Sequence, residues 1–150
     1  MKKRKFAGAA ALLLLLSIAG YAFFGSPAEL YRRGKLRRAM AAAEDGKVTL
    51  NEIVPFAWDT VYTFDPYTSR EEMAEIMDVP ARGLKQAVSE GMVQLAFVKN
   101  RHMVCNVCGY ISREGYSLWL RDGKADFADE IVFKAVRDSE GILWLSEPYE

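Results

Sequence analysis

The stretch WDTVYTFDPYTSREEMAEIM, residues 58–77, predicts its own local structure most clearly, and the rest of the chain is interpreted from it. Its first seven residues are rich in aromatic and β-branched side chains, a composition that favours a buried strand. Asp65-Pro66 ends this strand, because proline fixes φ and has no N–H to donate to a neighbouring strand. Thr68 and Ser69 each stand three residues before a glutamate, so two overlapping capping boxes predict a helix start. The residues expected on the inner face of that helix are Met73, Ile76 and Met77.

The chain that follows predicts one more helix and then a series of strands. The helix is expected to begin at Pro80 and to end at Gly91, because proline suits the first helical position and glycine a left-handed stop. After that point apolar and polar residues alternate, which is typical of strands with one buried face. The five expected strands begin near Met92, Met103, Tyr116, Ile131 and Ile142. We therefore predict an α+β domain in which helices pack on one face of an antiparallel sheet of about four to six strands.

The amino-terminal segment combines a basic start with a long uncharged run. Residues 2–5 are all lysine or arginine, and residues 6–24 carry no charge. This pattern is typical of a secretory signal or of an uncleaved membrane anchor. The run just reaches the roughly 20 residues that a membrane-spanning helix needs, while Gly20-Tyr21-Ala22 offers the small residues that a signal peptidase prefers. Both alternatives stay open, and the anchor is the preferred one.

These features divide the chain into three predicted segments. Residues 1–25 form a signal anchor or signal peptide, residues 26–46 a juxtamembrane helix or linker, and residues 47–150 an extracytoplasmic α+β domain. The predicted location is the cell membrane, crossed once by the amino-terminal helix, with the carboxyl-terminal domain outside the cytoplasm. Cleavage of the signal would instead release a secreted or periplasmic protein.

Charge argues against nucleic acid as a partner. The formal net charge is zero, but the four basic residues at positions 2–5 conceal an acidic remainder with 16 basic and 20 acidic residues. Binding to phosphate backbones needs a concentrated basic face. The expected partners are therefore the membrane, through the amino-terminal helix, and an envelope protein or glycan, with the oligomeric state left open.

One motif resembles that of a protein family. The residues Trp58-Asp59, Val61-Tyr62, Phe64 and Pro66-Tyr67-Thr68 follow the pattern WD-x-[VL]-Y-x-F-x-PY-[ST]. This pattern resembles that of small exported bacterial proteins of uncharacterised function, many of them described as lipoproteins, in which a helix and an antiparallel sheet follow. The chain departs from the lipoprotein members, because it has no cysteine near its amino terminus. The resemblance implies a compartment and a fold, and no activity.

The stretch HMVCNVCG, residues 102–109, holds the most reactive side chains. His102, Cys105 and Cys108 could supply three ligands to zinc, although a single CxxC lacks the second half of a typical zinc motif. On a regular strand the two cysteines point to opposite faces, which opposes a disulfide between them. Idle thiols, an extracytoplasmic disulfide and a metal site all stay open, and no resident cofactor is predicted.

A second group of residues suggests ligand recognition rather than catalysis. Aromatic side chains next to a carboxylate suit a sugar or a peptide, and the candidates here are Trp58, Asp59, Tyr62, Asp65 and Tyr67. No nucleophile-elbow, P-loop or HExxH pattern occurs, so no catalytic residue is assigned. The sequence thus favours a non-catalytic binding domain at the bacterial cell envelope. The alternative is a thiol, disulfide or zinc-binding protein that uses the HxxCxxC stretch.

Overall fold

The computed structural model describes residues 2–24 and 26–148, and within residues 2–7 and 20–24 it describes the backbone alone. The described residues form five α-helices, one short 3-10 helix and eight strands. The helices are α1 (Lys2–Phe24), α2 (Pro27–Ala42), α3 (Leu50–Ile53), α4 (Arg70–Met77) and α5 (Ile111–Glu114), and the 3-10 helix is Phe127–Asp129. The strands are β1 (Gly46–Thr49), β2 (Thr60–Thr63), β3 (Met92–Lys99), β4 (His102–Tyr110), β5 (Tyr116–Trp119), β6 (Lys124–Asp126), β7 (Val132–Arg137) and β8 (Leu143–Ser146).

The strands form two four-stranded sheets rather than the single antiparallel sheet predicted from the sequence. Sheet 1 has the order β1-β7-β8-β5, and sheet 2 has the order β4-β3-β2-β6. All neighbours are antiparallel except β5 and β8, which run parallel. The α+β class is thus confirmed, but the single sheet is wrong. The physical reason lies at Asp122-Gly123, where the chain turns out of sheet 1 and β6 pairs with β2 instead of folding back on β5.

The predicted membrane helix is corrected as well. A helix that crosses a bilayer needs about 20 predominantly apolar residues, and no helix within residues 2–24 and 26–148 combines that length with that apolar character. In α1 the described leucines at positions 12–16 are 59–68% exposed. The basic side chains at positions 2–5 and the predicted cleavage site at positions 20–22 lie outside the described side chains.

Two hydrophobic clusters hold the sheets together. The larger one lies between the sheets and combines the inner face of sheet 1 with one face of sheet 2. The smaller one lies on the opposite face of sheet 2, beneath α4. The side chains with 0% exposure in the larger cluster include Leu36, Val61, Leu95, Phe97, Val107, Tyr116, Leu120 and Leu143. Sheet 2 is therefore buried on both faces, whereas sheet 1 has one open face.

Residues 58–77 fold largely as predicted. The strand is β2, and Ser69 accepts a hydrogen bond from the N–H of Glu72 at 3.2 Å and so begins α4. Met73 and Met77 are buried, but Ile76 is 53% exposed, so its predicted inward position is wrong. The helix predicted from Pro80 is also wrong, because the described backbone of residues 80–91 contains no helix.

Helix α2 lies along the free edge of β4, where an exposed strand would leave backbone groups without partners. Arg32 donates to the carbonyl of Val104 at 3.1 Å, and Arg33 donates to that of Cys108 at 3.4 Å. Between them, the N–H of Asn106 donates to the carboxylate of Glu29. The apolar side of α2 contributes Leu36 and Met40 to the larger cluster. Three side chains of one helix thus replace the hydrogen bonds of a fifth strand.

The same helix carries a buried ion pair. Arg33 pairs with Glu114 at the end of α5, and the side chains are 24% and 3% exposed. Gly109 leaves room for the pair, because a Cβ at that position would lie 2.6 Å from Oε1 of Glu114. The second carboxylate oxygen of Glu114 and the hydroxyl of Tyr116 are buried without hydrogen-bond partners. Arg33 is therefore the counter-charge that allows Glu114 to be buried.

We expect the substitution Arg33→Met to lower the free energy of unfolding by about 3–5 kcal/mol, because it leaves the Glu114 carboxylate buried without its partner. Urea denaturation checks this. Arg113→Met, which removes an exposed arginine beside Glu114 in sequence, is the matched control and should shift stability by less than about 0.5 kcal/mol. Adding Glu114→Gln to Arg33→Met should recover part of the loss, and equal losses in the Arg33 and Arg113 variants would contradict the assignment.

Candidate functional site

A cleft opens where the end of β2 and the start of β3 approach β5 and β8. Its volume is about 400 Å³, within the range of pockets that hold small ligands. Core residues such as Phe64 and Val93 form its apolar wall. We call it the tryptophan cleft and define it by its polar and exposed aromatic lining residues, which are Asp65, Glu90, Gln94, Ser117, Trp119 and Trp144.

The two tryptophans lie on the open face of sheet 1. In β5 and β8 the residues on either side of each tryptophan point into the core, so both indoles are directed away from it. Trp119 is 50% exposed and Trp144 is 44% exposed. In the parallel pairing of β5 with β8, Trp144 lies opposite Ser117 and Trp119 lies opposite Ser146. The tryptophans therefore occupy diagonal positions on one surface, separated by small serine side chains.

A hydrogen bond fixes the orientation of one indole. Nε1 of Trp144 donates to Oδ2 of Asp138 at 2.7 Å, and Oδ1 of Asp138 accepts from the N–H groups of Glu140 and Ile142, both at 2.9 Å. The indole N–H and these backbone groups hold the pKa of Asp138 below its usual range. Asp138 is therefore ionised at neutral pH and holds Trp144 in place before any ligand arrives.

Gln94 brings an unpaired polar group to the cleft wall. Its side chain is 4% exposed, and Nε2 donates to Oδ1 of Asn106 at 3.1 Å. Oε1 of Gln94 is buried without a partner. An unpaired buried acceptor costs about 1–3 kcal/mol of stability, so Gln94 is a lining residue of the cleft that lowers the stability of the fold.

The cleft also contains two exposed carboxylates, those of Asp65 and Glu90. Within the described part of the chain, neither carboxylate forms an ion pair or a side-chain hydrogen bond, in contrast to Asp59 and Asp138. The cleft thus offers two exposed carboxylates as acceptors to a ligand, whereas the amide oxygen of Gln94 is buried.

The aromatic and acidic residues predicted from the sequence do not form one site. Trp58 is 4% exposed and packs edge-on against Phe97 and Phe127 in the larger core. Asp59 pairs with Lys99 at 3.2 Å and accepts from the N–H of Asn100 at 2.7 Å, so it stabilises the β3–β4 turn. Of the remaining three, Tyr62 stacks on Phe64, Tyr67 is 60% exposed, and only Asp65 lines the tryptophan cleft.

The three predicted metal ligands are not brought together. His102 is exposed, Cys105 is buried in the larger core, and Cys108 is half-buried. The pairing of β3 with β4 is regular from Cys105 to Cys108, so the two side chains point to opposite faces. Both cysteines are free thiols. Among the residues that the structure describes, no three histidine, cysteine or acidic side chains are grouped so as to hold a metal ion.

Sequence reasoning missed Trp119, Trp144 and Gln94, although each leaves a signal. A tryptophan in the outward position of an alternating strand, as in Ser117-Leu118-Trp119-Leu120, is an apolar side chain where the pattern demands a polar one. Gln94 shows the reverse, a polar residue at a buried position of a strand. The sequence does not show that these residues meet, because Gln94 belongs to sheet 2 and the two tryptophans belong to separate strands of sheet 1.

Comparison of the chain with known protein families, with curated proteins and with solved structures finds no match. The resemblance of the WD-x-[VL]-Y-x-F-x-PY-[ST] motif to small exported bacterial proteins therefore stays a prediction. The arguments for function rest on the geometry of this chain alone.

We expect Cys105 to resist alkylation in the folded protein. Burial raises the pKa of its thiol to about 12, and only the thiolate reacts with iodoacetamide. Burial also raises the pKa of Cys108, but this side chain is partly exposed and should react first. Mass spectrometry of the Cys108→Ser variant, with and without urea, measures Cys105 alone.

In that experiment Cys105 should be modified rapidly in urea and only very slowly in the native state, where its rate should rise with pH as the thiolate fraction grows. The Cys105→Ser variant is the matched control, in which Cys108 should react without denaturant. Rapid native modification of Cys105 at pH 7 would contradict its placement in the core.

Proposed function

We propose that this chain is a non-catalytic binding domain of the bacterial cell envelope and that the tryptophan cleft takes a saccharide. The observation that carries the proposal is the pair of exposed indoles, Trp119 and Trp144, next to two exposed carboxylates that have no partner among the described residues. A surface that leaves both large apolar side chains and polar groups unsatisfied gains most from a ligand that satisfies both.

The chemistry of the lining favours a sugar ring. A sugar presents C–H groups on its ring faces, which pack on an indole, and hydroxyl donors around its edge. The acceptors that the cleft exposes are the carboxylates of Asp65 and Glu90, and both can accept hydrogen bonds from sugar hydroxyl groups. The serine at position 117, between the tryptophans, keeps the floor low enough for a ring to approach.

The same carboxylates argue for binding rather than hydrolysis. A glycosidase uses one carboxylic acid that is kept protonated by an apolar, desolvated environment. Asp65 and Glu90 are both exposed to water. They lack the burial that would separate an acid role from a base role, and they suit hydrogen bonding to hydroxyl groups.

Export to the envelope is part of this proposal. It is supported by the basic residues at positions 2–5 followed by the uncharged run of residues 6–24, the pattern of a secretory signal. Amino-terminal sequencing of the protein recovered from the periplasm or medium of expressing cells is the test. We expect a new terminus within residues 20–28, and recovery of intact protein from the cytosol alone would contradict export.

We expect Trp119→Ala and Trp144→Ala each to weaken saccharide binding about tenfold, which corresponds to about 1.4 kcal/mol of lost ring packing. The measurement is an NMR or calorimetric titration of the protein with N-acetylglucosamine oligomers and other envelope-derived oligosaccharides. Tyr31→Ala removes an exposed aromatic ring of α2 that does not line the cleft, and is the matched control.

The variants also separate binding from folding. Both indoles are about half exposed, so neither substitution should abolish the thermal unfolding transition. Titrations in which folded Trp119 and Trp144 variants bind as well as the unmodified chain would overturn the cleft as the site. Absence of binding to every oligosaccharide would overturn the ligand class.

A further inference from the structure

The open face of sheet 1 carries a pair of like charges that the fold does not neutralise. Lys47 of β1 lies directly opposite Lys134 of β7, and directly opposed residues of antiparallel strands project to the same face. Both lysines are exposed, and neither forms an ion pair or a hydrogen bond within the described residues. Like charges in this position destabilise a sheet, so the pair needs an explanation other than folding.

An apolar groove lies beside this pair. Its volume is about 540 Å³, and it is separate from the tryptophan cleft, with which it shares no lining residue. Lys134 stands between Val132 and Val136, which are 45% and 42% exposed on the same face. The lysine pair thus marks a positive position next to a surface that favours hydrocarbon. We call this groove, which includes Lys47 and Lys134 in its lining, the lysine groove.

The acidic residue that lines the groove does not neutralise the lysines. Oδ1 of Asp45 accepts a hydrogen bond from the backbone N–H of Arg137 at 2.9 Å. The guanidinium of Arg137 is itself engaged, because it donates to the carbonyl oxygens of Met40, Ala41 and Ala43 at the end of α2. Asp45 keeps its negative charge but forms no ion pair with either lysine within the described residues, so two lysines and one carboxylate leave the groove with a net positive charge beside an apolar wall.

We propose that the lysine groove binds an anionic amphiphile with a single hydrocarbon chain, of which a long-chain carboxylate is the simplest example. The carboxylate lies between Lys47 and Lys134 and relieves their mutual repulsion, and the hydrocarbon chain lies along Val132, Val136 and Pro148. This proposal does not depend on the saccharide proposal, because the two sites share no lining residue and take ligands of different charge. Both sites lie on the open face of sheet 1, where Val136 lies opposite Trp144.

The test is a calorimetric or NMR titration of the full chain with dodecanoate below its micellar concentration. Octanoate, dodecanol and dodecyltrimethylammonium are the ligand controls. Dodecanoate should bind more tightly than octanoate by up to about fourfold for each added methylene group, since each buried CH₂ contributes about 0.8 kcal/mol. It should also bind at least tenfold more tightly than either the neutral or the cationic compound, and added salt should weaken its binding.

The double variant Lys47→Gln, Lys134→Gln should weaken dodecanoate binding at least tenfold and leave thermal stability unchanged or higher, because a repulsion is removed. Lys124→Gln, which removes an exposed lysine of β6 in sheet 2, is the matched control and should bind normally. Equal affinity of the double variant and the control would overturn the proposal.

Other occupants give different results. If the protein binds vesicles of phosphatidylglycerol but not monomeric dodecanoate, its ligand is a membrane surface rather than a single amphiphile, and the proposal is overturned. Binding of an oligoglutamate peptide with no dependence on hydrocarbon length would indicate an acidic protein segment and overturn it as well. A variant that ends at Pro148 is compared with the full chain. If only the shortened variant binds dodecanoate, the last two residues occupy the groove, and the proposal is overturned.

Discussion

The requirement that the free edge of β4 find hydrogen-bond partners organises much of this fold. A buried strand edge leaves N–H and C=O groups unpaired, and each unpaired group costs about 1–3 kcal/mol. Helix α2 removes that cost with the side chains of Glu29, Arg32 and Arg33. Because Arg33 also pairs with Glu114, the helix that covers the edge of sheet 2 also fixes α5, the link to sheet 1.

The tryptophan cleft follows from this arrangement. Helix α5 connects β4 to β5. Strand β5 is an edge strand of sheet 1 and runs parallel to β8. After β5 the chain turns at Asp122-Gly123 and enters sheet 2 beside β2. The two sheets are therefore connected at both ends of β5, and the cleft opens at this edge strand. Trp119 is the last residue of β5 and stands where the sheets separate.

The sequence predicted those features that depend on neighbouring residues. The N-cap at Ser69 and the stop at Asp65-Pro66 are local, and the structure confirms both, but among the described residues the return bond from Ser69 N–H to Glu72 that would complete the capping box is missing. The one buried face predicted for β3 is wrong, because residues 93–98 are all buried. The helix predicted from Pro80 failed because tertiary packing overrode a weak pattern. Leu84 and Ala87 are buried and Val88 is 60% exposed, and the segment that carries them is irregular, with a φ of 85° at Gly83.

The features that the sequence could not predict all depend on which strands become neighbours. The pairing of β6 with β2 brings residues more than 60 positions apart into register, and no local pattern encodes that choice. The same holds for the tryptophan cleft, where Asp65 and Gln94 belong to the sheet 2 side and Trp144 to sheet 1. Asp59 and Asp65 look equivalent in the sequence, yet one stabilises a turn and the other remains free in a cleft.

The two sheets differ in the groups that they leave exposed. Sheet 2 is buried on both faces, and α2 satisfies its β4 edge, so few of its groups remain available to a ligand. Sheet 1 keeps one open face, and on it lie side chains that do not favour folding: two exposed indoles and a lysine pair in mutual repulsion. Proteins sit only slightly above the stability that they need, so groups that lower stability persist where they serve another purpose. These groups lie on the open face of sheet 1, whereas sheet 2 is covered on both faces and α2 covers its β4 edge, and this difference is what supports the two binding proposals.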